Sequence, residues 1–347
     1  MRHLVRRPKR GARNGLLTGQ GPRQGTMPAK PLLVSFAVIA ALASPARAKE
    51  VDQFTDRAFA LAHLHDAAPA IDAKIDHMLD ALAAELNAHG GARDRRLYDE
   101  FQGGTFELVA QLSTPFETWL RDAADVDLFW VDDRGMYGGA IDYDDMGLGW
   151  YVEIAPELRI GPRLVGIDKL GHFIGQGWFY YREYQRLRAR DPHATPAALD
   201  RAIRIYGHGL EATFLGLTGT GVYSYADLAA NWQGLEFYKQ VYGGAHPYLA
   251  RDGRGRWRRV RDFHIAEYAT DAWDEVQNPS CARAAPLYAK VVRYLRSHAC
   301  DAYRANSIAF LNATGITQDR ATYAASPAEG GFDGRNAFAL DRVCATP

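Results

Sequence analysis

The chain has 347 residues with 41 basic and 41 acidic side chains, but nine of the bases (Arg2, Arg6, Arg7, Lys9, Arg10, Arg13, Arg23, Lys30, Arg47) and none of the acids fall in residues 1–48. Everything after residue 48 therefore carries a net charge of minus nine, which excludes nucleic acid as a natural partner and disfavours unaided docking on anionic lipid. A cationic ligand or a metal ion is easier to accommodate.

Residues 1–26 are basic and mixed in composition, and Met27 opens the string MPAKPLLVSFAVIAALASPARA. Lys30 supplies a positive charge, Leu32 to Ala43 an apolar run, and Ala46 and Ala48 the small residues of a cleavage site, the three-part layout of a secretory signal. The reading is a targeting region over 1–48 with its true start at Met27, a signal peptide over 27–48 and Lys49 as the first mature residue. The apolar run is shorter than the roughly 20 residues that cross a bilayer, and the Arg6-Arg7 pair lies too far upstream for a twin-arginine signal. No cysteine follows the cleavage point, so no lipid anchor is expected, and no later segment is apolar for long enough to be a transmembrane anchor. The expected location is periplasmic or secreted.

Downstream, Val51 to Leu64 and Pro69 to Ala88 read as helices, the second with Ile71, Ile75, Met78, Leu82 and Leu86 on one stripe. Thr114 and Pro115 open another through Ala124 as cap and first helical residue. Residues 49–131 thus form an N-terminal helical region. Between 132 and 166 glycine, acidic and aromatic residues alternate, and only Trp150–Ile154 and Leu158–Val165 look extended, so a long loop or short β-hairpin is expected. Helices follow near 168–190, 196–217, 224–242, 262–277 and 285–298, and a tail over 301–347 is irregular. The fold class is mainly α: an irregular helical bundle with a loop or hairpin insertion around 132–166, and a central bundle over 167–300.

Cys281, Cys300 and Cys344 in an oxidising compartment predict one disulfide and one thiol. A helix of about 20 Å separates Cys281 from Cys300, too far for a bond, so Cys344 pairs with Cys300 or Cys281.

Three consecutive helices each offer a polar pair at helical spacing: Asp168 with His172, His208 with Glu211, and Asp227 with Asn231. Helical bundles build metal sites from such pairs. Asp168, His172, Glu211, Asp227 and Asn231 form the candidate ligand set, one imidazole among hard oxygens, suited to Zn, Mn or Fe, or to Mg with the histidine outside the shell. Asp168, Lys169, His172, His208 and Glu211 are the candidate catalytic groups, with Lys169 or His208 steadying an anionic substrate. Each also has an ordinary explanation. Asp168 fits a helix N-cap, Ser224 with Asp227 fits a capping box, Glu211 fits a solvated edge near Arg204, and His172 fits a core histidine. Gly171, Gly175, Gly207, Gly209 and Gly234 inside helical runs point to close helix approach or ligand access.

The strings Asp168-Lys169-Leu170-Gly171-His172-Phe173 and Ser224-x-x-Asp227-Leu228-x-x-Asn231 resemble motifs in bacterial envelope families of the YfiM-like and, more distantly, VanZ-like kind, over about residues 165–240. The resemblance implies that Asp168, Lys169, His172, Asp227 and Asn231 belong to one site in an envelope protein, and implies no reaction.

Weaker signals are an Asp142-x-Asp144-Asp145-x-Gly147 string with Glu153, a partial calcium loop lacking its flanking helices, the aromatic run Trp178 to Tyr181, which fits core packing, and His264, Glu267, Asp271 and Glu275, which fit the solvated face of a helix. Two functions remain in view: a metal-dependent hydrolase acting on an envelope lipid, glycan or phosphoester, and a non-catalytic periplasmic structural or binding protein. The partner is in either case an unidentified small molecule or envelope component.

Overall fold

Most helices lie where the apolar spacing puts them. The computed structural model describes residues 48–52, 54–90, 93–103, 114–131, 135–137, 152–213, 216–217, 220–283, 285–306 and 336–345. Helix α1 (Arg57–His63) starts later than expected, because the Asp52 carboxylate takes the backbone N–H groups of Phe54 and Thr55 (3.2 and 3.1 Å) and holds that turn out of the helix. Helix α2 (Ala68–His89) buries the predicted stripe and ends at Gly90, whose φ of +58° suits glycine. Helix α3 (Arg93–Gln102) is absent from the sequence reading, since only Leu97, Tyr98 and Phe101 mark its buried face among charges. Helix α4 (Pro115–Asp122) has the expected Thr114 cap, completed by Glu117 into a reciprocal capping box.

The extended segments become two small pairings. Strand β1 (Ala48–Glu50) runs parallel to β2 (Val152–Ile154), and β3 (Glu157–Ile160) turns at Gly161-Pro162 into antiparallel β4 (Arg163–Gly166). Asp142, Asp144, Asp145 and Gly147 lie outside the described residues, while Glu153 stands in β2.

From β4 the chain passes directly into α5 (Ile167–Gly171), a π-helical turn over His172–Gln176, and α6 (Gly177–Arg190). Helix α7 (Pro196–Glu211) stops six residues short of the expected end at 217. Strand β5 (Val222–Tyr223) leads into α8 (Tyr225–Val241), which packs along α6 and the π turn. A hairpin of β6 (Leu249–Arg251) and β7 (Trp257–Arg259) covers α2.

The expected helix over 262–277 does not form. Two 3-10 turns, Ile265–Glu267 and Asp271–Trp273, replace it, pinned by Asp72 and Asp76 of α2, which accept the N–H groups of Ile265 and Phe263 (2.7 and 2.9 Å). The chain ends in β8 (Cys281–Ala282), paired with β5, then α9 (Ala285–His298), α10 (Cys300–Ala305) and α11 (Leu340–Val343). The fold is mainly α. Cys344 bonds Cys300, and Cys281 is a buried thiol.

The core is continuous around Phe173, Phe237, Phe263, Tyr268 and Trp273, whose rings meet edge-on or tilted or, for Phe263 and Tyr268, stacked, 5.3–6.2 Å apart. Trp178, Phe179, Tyr180 and Tyr181 are all buried in it, which is the packing role the sequence gives them. No helix among the described residues is long and apolar enough to cross a membrane.

Candidate metal centre

The site is set by two glycine contacts. A side-chain carbon at Gly177 would come within 2.6 Å of the Gly234 Cα, and one at Gly234 would collide with the Phe173 carbonyl. Only glycine at both positions lets α6 and α8 approach this closely. That contact brings the segment carrying Asp168 and His172 against the one carrying Asp227 and Asn231. The π turn begins at His172 itself; such turns widen a helix locally and recur at functional sites.

At the centre is Lys169, 1% exposed. Its Nζ lies 2.9 Å from Asp168 Oδ2, 2.5 Å from Asp227 Oδ1 and 2.7 Å from Glu275 Oε1. Burial alone would lower the ammonium pKa, but Asp168, Asp227 and Glu275 outweigh it and hold the pKa well above the ordinary lysine value. The lysine charge is consumed by these acids, so Lys169 does not steady an anionic substrate as the sequence suggested.

Asp168 is not the N-cap of α5; Gly166 is. The aspartate stands in the first turn, with Oδ1 accepting the Lys169 N–H (2.8 Å) and Oδ2 facing the ammonium. Ser224 caps α8 as expected, its Oγ accepting the Asp227 N–H at 3.1 Å. The reciprocal half of the predicted box is taken by another residue: the Ser224 N–H goes to Glu211 Oε1 (2.9 Å), and Ser224 Oγ donates to Glu275 Oε1 (3.0 Å). Asp227 is thereby available to Lys169 and His172.

His172 Nε2 lies 3.2 Å from Asp227 Oδ2, and its Nδ1 lies 3.0 Å from Asn231 Oδ1. The Asn231 amide nitrogen points to Tyr180 OH (3.5 Å), which orients the amide with its oxygen toward the ring. Nδ1 must then carry the hydrogen. Nε2 faces a carboxylate oxygen, an arrangement that needs a proton or a metal ion between the two atoms. Asn231 is therefore a residue that orients the imidazole.

One ligand atom each from Asp168, His172 and Asp227 lie within 4.8 Å of one another. Ligands bound at 2.0–2.2 Å stand about 3 to 4 Å apart, so a small inward movement would close the group on an ion. Glu211, predicted as a ligand, sits behind this group at 2% exposure, spent on Ser224 rather than solvated. His208 is also buried, with Nδ1 against Tyr223 OH, so it forms part of the support and is not presented to a substrate.

The sequence missed two acids. Glu275 stands immediately after Asp274, which a buried ion pair with Arg57 anchors (Nη1 to Oδ1, 3.2 Å), and Glu50 enters from β1 at 3% exposure. Five buried carboxyl groups (Glu50, Asp168, Glu211, Asp227, Glu275) thus surround one lysine and one partly exposed histidine. Burial first, and then the neighbouring acids, push Glu50, Glu211 and Glu275 upward. Asp227 goes the other way: His172 and Lys169 overcome its burial and keep it below the ordinary carboxylate range. The cluster's five carboxyl groups outnumber its two basic side chains, Lys169 and His172.

No family model, curated protein or solved structure matches the chain. The functional reading therefore rests on the chemistry of this cluster.

Proposed function

We propose that the chain is an exported metal-dependent hydrolase of the bacterial cell envelope that holds one divalent ion between Asp168, His172 and Asp227. The carrying observation is the convergence of these three ligand atoms within 4.8 Å in a buried cluster whose carboxyls outnumber its cations. One imidazole with two carboxylates suits Zn, Mn or Fe. Such an ion lowers the pKa of a bound water toward neutrality. Glu275, which burial disposes to hold a proton at higher pH than an ordinary glutamate, is suited to exchange protons there. His172 is the member of the cluster open to solvent, so a substrate group reaches the site past its ring. An envelope lipid, glycan or phosphoester fits the secretory layout of residues 27–48, the disulfide, and the local likeness of the two strings to envelope-protein motifs.

One observation favours a non-catalytic reading: Lys169 already places a cation among three of the carboxylates, as a buried network that fixes helix packing would. Elemental analysis by plasma mass spectrometry separates the two. The protein is purified without chelator, exposed to Zn, Mn and Mg, and compared with an Asp168→Ala/His172→Ala double variant whose fold is verified by circular dichroism. The metalloenzyme reading expects about one ion per chain, lost in the variant. No retained metal in the wild type would leave the packing network as the role of these residues.

A further inference from the structure

Aromatic surface, charge and open volume also coincide in a cleft of about 450 Å³, lined by Arg93 and Asp94 at the start of α3, Tyr181 and Gln185 on α6, and Lys239 and Tyr242 at the end of α8. It shares no residue with the buried cluster, and its size falls among those of small-molecule sites, roughly 300 to 1,000 Å³.

Arg93 is the unusual member. Its neighbours Arg95 and Arg96 pair with Asp99 and Glu85, whereas Arg93 has no ion pair among the described residues. Its guanidinium instead lies over the rings of Tyr242 (5.5 Å) and Trp257 (6.0 Å). Stacking of this kind fixes the guanidinium plane and leaves its N–H fork without a carboxylate, the preorganised state of a bidentate carboxylate receptor. Lys239 adds a second positive charge at the rim, partly offset by Glu236 (2.8 Å).

The remaining lining has a different chemistry. Tyr181 and Tyr242 line the cleft with aromatic carbon and phenol groups, and burial pushes the Tyr181 phenol up to about 12, so it keeps its proton. Gln185 and Asp94 offer planar acceptors, and Asp94 has no ion pair among the described residues. A bare anion would leave the rings unused. A neutral sugar would leave the Arg93 charge without a counter-charge, and an aliphatic chain would bury the polar groups unpaired.

We propose that this cleft binds a sugar carrying a carboxylate, its ring packed against the tyrosines that line the cleft, its acid on Arg93 and its hydroxyls on Asp94 and Gln185. The site is independent of the metal centre.

Ligand-observed NMR with three probes tests this: N-acetylmuramic acid, which joins a sugar ring to a lactyl carboxylate, N-acetylglucosamine, which has the ring alone, and lactate, which has the acid alone. The acid sugar is expected to bind about tenfold more tightly than either part. Arg93→Gln should cost about tenfold for the acid sugar, the scale of a charge-assisted hydrogen bond, and leave the neutral sugar unchanged. Because Arg93 is exposed, an unchanged unfolding midpoint checks the fold, and Tyr242→Ala should weaken both sugars. Absence of N-acetylmuramic acid binding at millimolar concentration would overturn the proposal. So would equal binding of lactate and the acid sugar, which marks a plain anion site, or indifference to Arg93→Gln.

Discussion

Glu157 shows what the buried acids do to stability. It is fully buried at the start of β3, and neither carboxyl oxygen has a hydrogen-bond partner among the described residues. Burial raises its pKa well above the ordinary glutamate value; Asp52, Asp274 and Glu275 add to the shift, and Arg57 opposes it. The folded state therefore keeps this proton at pH values where the unfolded chain has released it. Between the ordinary carboxylate range and the raised folded value, unfolding releases a proton, so the contribution of Glu157 is present at acid pH and is lost as pH rises through that window. Glu157→Gln keeps the shape and stays neutral. Urea unfolding from mildly acid to mildly alkaline pH should show the variant gaining on the wild type as pH rises; parallel curves would show that Glu157 is stably ionised. The same buried electrostatics explain what the sequence could reveal of the site. Asp168 with His172, and Asp227 with Asn231, are legible because helical spacing places them locally. Glu50 and Glu275 are not, since they arrive from a strand and an irregular turn distant in the chain, and the spacing of Glu275 from His264, Glu267 and Asp271 imitates a solvated helix face.

At the scale of elements, glycine spacing hints at close packing but does not say which glycine is needed. The structure separates them. In Gly234→Ala the new methyl would meet backbone, the Phe173 carbonyl and the Gly177 Cα, neither of which can rotate away. Helices α6 and α8 would have to part, at a cost of about 1–3 kcal/mol, and the Asp168–His172–Asp227 group would open with them. Gly209, exposed on α7, has nothing within 4 Å of an added carbon. Gly209→Ala should stabilise by up to about 1 kcal/mol through helix propensity and reduced freedom of the unfolded chain. Thermal unfolding beside metal stoichiometry reads both changes. A Gly234→Ala protein with native stability and full metal loading would show that the helix contact does not set the site. The helix ends were legible for the same reason that Gly209 is dispensable: α2, α4 and α9 follow local apolar spacing and caps. The segment from 262 to 277 was not legible, because Asp72 and Asp76 on α2 capture its backbone N–H groups and break a pattern that reads as helical.

Over the whole molecule, the C-terminal elements are held less by the main core than by a second apolar cluster that includes Leu287, Val291, Leu295, Phe338, Leu340 and Val343 and contains the disulfide. Cys300 and Cys344 are 44 residues apart in sequence. On the chain-entropy account, closing a loop of that size stabilises by about 4 kcal/mol, a large part of the roughly 5–15 kcal/mol net stability of a typical domain. The cluster joins the site through β8, where Cys281 pairs with Tyr223, the residue before the Ser224 cap. Loosening the tail should therefore lower global stability before it disturbs the Asp168–His172–Asp227 group, which α5, the π turn and α8 carry within the main core. A Cys300→Ser/Cys344→Ser variant is expected to lose about 2–4 kcal/mol in denaturant unfolding and to retain its metal loading well below its melting temperature. Wild-type protein under reductant should reproduce the variant, because Cys281 is a buried thiol in both. Equal stability of oxidised and reduced protein would assign the anchoring of α11 to the packing of Leu340 and Val343 alone.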